Sequence, residues 1–301
     1  MKRVLLFGTG EGSRQFLIKY KNELKIVGIL DNDKNKHGKL FLDDLVISSP
    51  LLINQFDYEQ VIIVSQWAKE IYTQLVNDLG VDTSKIYIPE KSSIKEANKP
   101  FEDVNTRELA RNIIKQISFH AFNDKVPVIV DFGTLLGIIR DNDVIEWDDD
   151  VDFSIANLSE DFDFPIWITD VIKKIDLPVN LSLKYQSIDN KPTSIILNFE
   201  TKEFRQFLIS ISLRELKNNN YIHLPSGGMW YAPKKHFDNY EIIDWQGCKV
   251  FVPYDYENYL TFLYGNWKIP KKNITMADYA NLGKVDYEIF KDLGTGYKEL
   301  K

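Results

Sequence analysis

Five acidic side chains lie within seven residues, from Glu146 to Asp152, and the residues on either side are apolar. In an extended strand alternate residues share a face, so we expect Asp148, Asp150 and Asp152 to point the same way. Three carboxylates on one face repel each other unless a cation offsets their charge. Such hard oxygen ligands suit Mg²⁺ or Mn²⁺. We therefore predict a metal site here; the alternative is an acidic turn that caps a helix or faces solvent.

A short turn upstream adds groups that phosphoryl transfer needs, namely backbone N–H donors beside a metal. Gly133 and Thr134 closely follow the apolar run 128–130, and Arg140 lies seven residues after Gly133. A guanidinium can contact a phosphate through two hydrogen bonds. Together with Trp147, these residues favour a phosphoryl-transfer site over a solvent-facing acidic turn.

Aromatic residues are frequent towards the C-terminus, where Tyr264 and Trp267 frame a Gly-Asn pair. One interpretation is an aromatic wall that stacks a base or encloses a quaternary ammonium group. The alternative is that these rings belong to the hydrophobic core, as most aromatic residues do.

A second glycine-rich turn lies near the N-terminus, between an apolar run and a helical pattern. Gly8 and Gly10 could let backbone N–H groups approach a phosphate, and Asp31 ends the next apolar run, where a ribose-binding acid is expected. The third glycine is Gly12 rather than residue 13, which departs from the dinucleotide fingerprint. A nucleotide site and a tight turn in a scaffold domain are equally compatible with this pattern.

The elements that position these residues fall into two parts. Residues 1–95 alternate short apolar strands with helical patterns, which predicts a small Rossmann-like domain with a parallel sheet. Polar residues dominate 89–105, which we interpret as a boundary. Residues 105–290 mix a long amphipathic helix, several strands and a helix around 256–264, so the second domain is predicted to be α+β with a mixed sheet.

Composition excludes several classes of protein. The chain has 301 residues, a net charge of −7 and one cysteine, Cys248. An internal disulfide framework and a cysteine-based zinc cluster are therefore excluded. No dense basic stripe is present, so no nucleic-acid partner is expected. The N-terminal apolar run is short for a signal peptide and no run is long enough for a membrane span. We expect a cytoplasmic protein, with peripheral contact at the inner face of the membrane as an option.

Several of these segments resemble one family. Residues 133–137, Arg140 and residues 145–152 look like the central motif of the LicD family, which includes bacterial phosphocholine transferases and is similar to fukutin-related ribitol-phosphate transferases. The segment 264–270 looks like the family's second signature. The resemblance covers roughly residues 105–275 and implies a nucleotidyltransferase-like fold, whose mark is a Gly-Ser or Gly-Thr turn followed by an Asp-apolar-Asp strand.

The resemblance implies that the protein moves a phospho-alcohol from a CDP-activated donor to a glycan or a lipid-linked glycan precursor, releasing CMP. Choline, ethanolamine, glycerol and ribitol are the candidate alcohols. Asp148, Asp150 and Asp152 would hold Mg²⁺ or Mn²⁺, with Asp150 and Asp152 catalytic. The implied substrate-binding residues are Gly133, Thr134, Gly137, Arg140, Trp147, Tyr264 and Trp267.

One departure from the family leaves alternatives open. Relatives often carry a third carboxylate on a later strand, but the matching stretch here, residues 209–212, has serine at that position. Asp148 would then complete the metal shell, or a more distant acid such as Glu200 or Asp244 would. The rival functions are a nucleotidyltransferase that releases pyrophosphate and a non-catalytic nucleotide-binding or assembly protein.

Overall fold

The computed structural model describes residues 1–42, 45–94, 99–159, 162–188, 191–282 and 295–299, with backbone only for residues 188, 191 and 295–299. The chain divides into two compact units. The first contains residues 1–98 and 271–280, and the second contains residues 99–270 and 281–301. None of the helices in the described part of the chain has the length and apolar character to cross a membrane.

The first unit is built on a parallel sheet. Its strands are β1 (Lys2–Phe7), β2 (Leu24–Leu30), β3 (Ile47–Ser48), β4 (Gln60–Ile63) and β5 (Ile86–Tyr87), in the order β3-β2-β1-β4-β5. Its helices are α1 (Glu11–Tyr20), α2 (Ala68–Thr73) and α3 (Lys91–Ile94). Both faces of β1 are buried from Val4 to Phe7, which explains the unbroken apolar sequence of those four residues. The predicted Rossmann-like parallel sheet is confirmed. The sheet also contains the two-residue strand β3, which was not predicted.

A late segment of the chain returns to this first unit. Met276 and Ala277 pack against the core around β1 and β4. Lys69 Nζ donates a hydrogen bond to the carbonyl oxygen of Tyr279 at 2.9 Å. Residues 271–280 therefore belong to the first unit, although the sequence analysis assigned all of 105–290 to the second domain.

The second unit is built on a mixed sheet. Its strands are β6 (Ile129–Val130), β7 (Asp150–Ile155), β8 (Ser182–Ile188), β9 (Lys191–Asn198), β10 (Leu208–Lys217), β11 (Asn220–His223), β12 (Tyr231–Pro233), β13 (Tyr240–Trp245), β14 (Cys248–Pro253) and β15 (Thr295–Glu299). The order is β13-β14-β6-β7-β10-β9-β8-β15, and β11 pairs with β10 and β12. The helices are α4 (Val104–Asp124), α5 (Phe132–Asp141), α6 (Phe164–Lys174), α7 (Lys235–Asp238) and α8 (Tyr256–Tyr264). The predicted mixed α+β architecture is confirmed.

Strands β7 and β10 run parallel and side by side, and each has one apolar and one polar face. On β7, Val151, Phe153 and Ile155 are fully buried in the core. Asp152 and Ser154 alternate with them and therefore point to the other face. On β10 the corresponding polar residues are Ser210, Ser212 and Arg214. We call the side of the sheet that carries these five residues the polar face.

Helix α4 covers the apolar face. Its buried residues recur at helical spacing, and Ile113, Ile114 and Ile117 are fully buried in the core. Asp103 caps its start by accepting a hydrogen bond from the backbone N–H of Thr106 at 2.8 Å. The helix ends at Lys125, which adopts the left-handed conformation with φ 58°.

Candidate functional site

The acidic cluster lies where the chain enters β7. Asp148, Asp149 and Asp150 can each offer one carboxylate oxygen, with all three atoms within 4.8 Å of one another. It is the one such group of metal-ligating side chains in the described residues. Strand alternation continued back to Asp148 would place Asp149 on the opposite face, but β7 begins only at Asp150. Because Asp148 and Asp149 lie in the irregular segment between the turn at residues 146–147 and β7, strand alternation does not separate them.

The glycine turn and the acidic cluster are in direct contact. Gly133 lies at the start of α5, and a Cβ atom placed there would overlap Oδ2 of Asp148. Thr134 is buried, and its Oγ1 accepts a hydrogen bond from the backbone N–H of Asp152 at 2.8 Å. Two motifs fifteen residues apart in sequence therefore form one site, with the N-terminus of α5 tied to β7.

Replacing Gly133 with alanine is expected to lower any transfer activity about 100-fold, because an ångström-scale displacement of a catalytic group costs that much. The new methyl group would push the Asp148 carboxylate out of the cluster. Activity and circular dichroism of the purified variant measure this.

Gly137→Ala provides a contrast within the same helix. Its Cβ would meet the backbone oxygen of Asp143 at 2.5 Å, so the loop itself must move and the melting temperature should fall. Full activity of Gly133→Ala would contradict the proposed contact.

Asp152 lies beside the cluster on the polar face. Ser210 Oγ donates a hydrogen bond to its Oδ1 at 2.7 Å. Burial, and next the negative charge of Asp150, raise the pKa of Asp152 well above its usual range, and Asp148 adds to the effect. Such a crowd of carboxylates is what a divalent cation offsets, and the all-oxygen donor set fits Mg²⁺ or Mn²⁺.

The place where relatives carry a third carboxylate is occupied by Ser210. It pairs in register with Asp152 on the neighbouring parallel strand. Asp244 lies on β13, three strands from β7 in the sheet order, or about 14 Å at the usual strand spacing. Its side chain accepts a hydrogen bond from Gly247 N at 3.0 Å and pairs with Lys249. Asp244 is therefore not a neighbour of the cluster, whereas Asp148 is.

A fully buried ion pair between Asp131 and Arg214 lies behind the site, and it was not predicted from the sequence. Asp131 precedes α5, and Arg214 Nη2 donates to its Oδ2 at 2.6 Å with both side chains inaccessible to solvent. Ser154 Oγ also donates to Oδ2 at 2.5 Å, while Tyr259 Oη and the N–H of Phe132 donate to Oδ1 at 2.7 and 2.8 Å. This network joins α5, β7, β10 and α8 directly behind the glycine turn.

Phe132 packs its ring against Arg214, one member of this network. It is a non-glycine residue in the left-handed region, with φ 46°, at the first position of α5. Its ring lies 5.1 Å from the Arg214 guanidinium carbon and makes edge contacts with His223 and Trp230. Burial, and next the charge of Arg214, hold the pKa of His223 well below its usual range. Strained backbone of this kind is common at functional sites.

Two other predicted substrate-binding residues, Gly137 and Arg140, lie further along α5 than Gly133. Arg140 is seven residues along α5 from Gly133, about 10 Å at the helical rise, and pairs with Asp141 through two contacts. Its guanidinium carbon also lies 5.8 Å from the Trp147 ring. Gly137 is buried, and its missing side chain makes room for the loop at Asp143, which is a packing role.

The aromatic wall is divided between core and surface. Trp267 is 7 % exposed, belongs to the hydrophobic core and donates its Nε1–H to Thr261 Oγ1 at 3.1 Å. Tyr264 is partly exposed and packs against the same core. The core interpretation therefore holds for Trp267, because a ring this buried has little surface left for a ligand.

In the first unit, Gly8 and Asp31 end neighbouring strands, as predicted. Gly8 has φ 113°, and a Cβ there would overlap the carbonyl oxygen of Val64, so the turn requires glycine. The Asp31 carboxylate already accepts hydrogen bonds from Thr9 Oγ1, from Lys36 Nζ and from the N–H of Asp33. Gly10 directly precedes α1 without a side-chain cap. Nucleotide binding at these residues stays a prediction.

Some similarity to solved structures is found. A UDP-D-quinovosamine 4-dehydrogenase from Vibrio fischeri is 22% identical, with 27% of this chain and 74% of that chain covered and a TM-score of 0.23. A myo-inositol dehydrogenase from Corynebacterium glutamicum is 16% identical, with 74% and 71% covered and a TM-score of 0.24. TM-scores this low do not indicate shared chemistry. No curated protein sequence matches the chain at a significant level.

Two family models match the chain. Residues 1–87 match a family described as C2185-like, N-terminal. Residues 125–255 match the family described as LicD/FKTN/FKRP, nucleotidyltransferase domain, a range that includes α5, the acidic cluster and β10. The second unit therefore carries a domain of the LicD/FKTN/FKRP nucleotidyltransferase type at residues 125–255, and a Rossmann-like domain precedes it.

Proposed function

We propose that this protein is a metal-dependent transferase that moves a phospho-alcohol from a CDP-activated donor to a glycan or a lipid-linked glycan precursor. The match to the LicD nucleotidyltransferase domain supports a phosphotransferase of the LicD type. The observation that carries the finer proposal is the contact between the Gly133 turn and the Asp148–Asp150 cluster. A phosphate held at that turn would lie directly beside the carboxylates.

In this proposal Asp148, Asp150 and Asp152 hold Mg²⁺ or Mn²⁺. A bound divalent ion neutralises charge on the transferred phosphoryl group. The first backbone N–H groups of α5, from Gly133 onward, hold the donor phosphates, as helix N-termini commonly do. The Thr134 hydroxyl keeps this helix start against β7 through its bond to Asp152 N.

The chemical step is a displacement at the phosphorus that carries the alcohol. An acceptor hydroxyl oxygen forms the new P–O bond, and the bond from that phosphorus to the bridging oxygen breaks. CMP leaves with the bridging oxygen. The hydroxyl proton passes to a carboxylate of the site, for which Asp150 and Asp152 are the candidates. Choline, ethanolamine, glycerol and ribitol phosphate are all compatible with this scheme.

Product analysis by mass spectrometry tests the proposal. Purified protein with Mg²⁺ or Mn²⁺ is offered CTP and a panel of CDP-alcohols, with and without glycan acceptors. Release of CMP from one CDP-alcohol, abolished by a chelator, is the expected result and names the donor.

Two other outcomes favour the rival functions. Pyrophosphate release from CTP would favour a nucleotidyltransferase of the same fold. If no product forms from any donor with either metal, a non-catalytic protein would be favoured. The main support for that alternative is Ser210, which stands where a third carboxylate is expected.

A further inference from the structure

A cavity of about 380 Å³ lies on the second unit, lined by Lys184, Ile196, Asn198, Phe199, Glu200, Gln206 and Phe207. Its volume falls within the roughly 300–1,000 Å³ that is usual for small-molecule sites. Glu200 is one of the two distant acids considered above for the metal shell, and none of the lining residues belongs to the cluster of Asp148, Asp149 and Asp150. We propose that this cavity binds a sugar unit of the acceptor glycan, an inference that rests on the proposed function.

Strand register places the cavity on the polar face, in line with the acidic site. Asp152 pairs with Ser210, Ser210 pairs with Ile196, and Ile196 pairs with Lys184. These four residues form one row across β7, β10, β9 and β8, with their side chains on the same face. At about 4.8 Å per strand, Ile196 lies about 10 Å from Asp152 and Lys184 about 14 Å. A sugar held there can bring a hydroxyl group towards the cluster.

The order of the sheet also fits an in-line displacement. The donor-binding turn follows β6, on one side of β7, whereas the cavity lies over β9 and β8, beyond β10 on the other side. Phosphoryl transfer needs the attacking and leaving oxygens on opposite sides of phosphorus. With the donor phosphates at Gly133, as proposed above, an acceptor held in the cavity would approach the acidic cluster from the β10 side.

The lining has the chemistry that a sugar needs. Ile196 is partly exposed and provides the apolar surface of the floor, whereas Phe199 and Phe207, which also line the cavity, are nearly buried, with ring centroids 5.0 Å apart. Phe101 packs behind Phe207 at 5.0 Å, so the apolar floor is firmly supported. Around it, Asn198 and Gln206 carry amides that both donate and accept hydrogen bonds. Sugar hydroxyls do the same, and the C–H face of a sugar ring suits an apolar floor.

Ligand-observed saturation-transfer NMR on the full-length protein tests this cavity directly. The probes are methyl α-D-glucoside, methyl β-D-galactoside, methyl N-acetyl-β-D-glucosaminide and CMP, without metal or donor. At least one glycoside is expected to bind to the wild-type protein. Asn198→Ala and Gln206→Ala should each weaken that binding about three- to tenfold, the usual effect of losing one hydrogen bond. Asn123→Ala, an exposed substitution on α4, is the matched control.

Three results would overturn the inference. The first is that no glycoside binds, and the second is that glycoside binding survives both substitutions. The third is that CMP binds and both substitutions abolish its binding, which would make the cavity a nucleoside site. Because these measurements need no donor turnover, they are independent of the product analysis. Once a donor and acceptor are known, Asn198→Ala should also raise the KM for the acceptor.

Discussion

Replacing Arg214 with methionine is expected to lower the free energy of unfolding by about 3–5 kcal/mol, the usual cost of removing one partner of a buried ion pair. Arg214 and Asp131 are both inaccessible to solvent. Without the guanidinium, the Asp131 carboxylate keeps its hydrogen bonds from Ser154 and Tyr259 but loses its only charged partner among the described residues. Urea unfolding followed by circular dichroism measures the change.

Two variants make this result specific. The double variant Asp131→Asn with Arg214→Met should regain most of the lost stability, because it leaves no buried charge without a partner. Lys249→Met breaks an exposed pair with Asp244 and should cost no more than about 1 kcal/mol. If Arg214→Met were as stable as the wild-type protein, the pair would not hold α5 in place.

Replacing Asp150 with asparagine is expected to lower the rate of CMP release about 1,000-fold or more. A metal ion contributes several kcal/mol to transition-state stabilisation, and each 1.4 kcal/mol is a factor of about ten in rate. Asp150 is central because it belongs to the three-carboxylate cluster and also acts on Asp152. Steady-state rates with the donor found by product analysis provide the measurement.

The same variant should be more stable than the wild-type protein when metal is absent. The folded pKa of Asp152 is raised, so ionisation of Asp152 opposes folding once the pH exceeds its unfolded pKa. Removing the Asp150 charge reduces this penalty, and the metal-free melting temperature at neutral pH should rise. Asp170→Asn, at an exposed position of α6, should change neither rate nor melting temperature. Wild-type activity of Asp150→Asn would refute the role of the cluster.

Periodic apolar patterns allowed much of the fold to be predicted. The central strands β1 and β4 of the first unit are buried on both faces over most of their length, and their sequences there are continuous apolar runs. Helix α8 spans Tyr256–Tyr264, as predicted, because its buried residues recur every three to four positions. The contribution of residues 271–280 to the first unit was not predictable, because a local sequence pattern does not indicate which unit's hydrophobic core a late segment packs against.

At the site, residue types were more predictable than geometry. The acidic cluster and the glycine turn were identified, but the strand pattern was extended backwards to Asp148, which lies before the start of β7 at Asp150. Arg214 was missed even though Ser210, Ser212 and Arg214 alternate with apolar residues in β10, which is the signal of a polar face. Its partner Asp131 could not be identified, because a pairing across 83 residues depends on the tertiary fold.

The return of residues 271–280 to the first unit affects how the protein can be divided experimentally. A fragment that stops after residue 98 would lack Met276 and Ala277 and would expose the apolar surface that they cover. It would also lose the hydrogen bond from Lys91 N to the carbonyl oxygen of Ile274 at 2.9 Å. A single cut therefore cannot yield both units intact, and limited proteolysis between residues 98 and 99 should leave two pieces that still copurify.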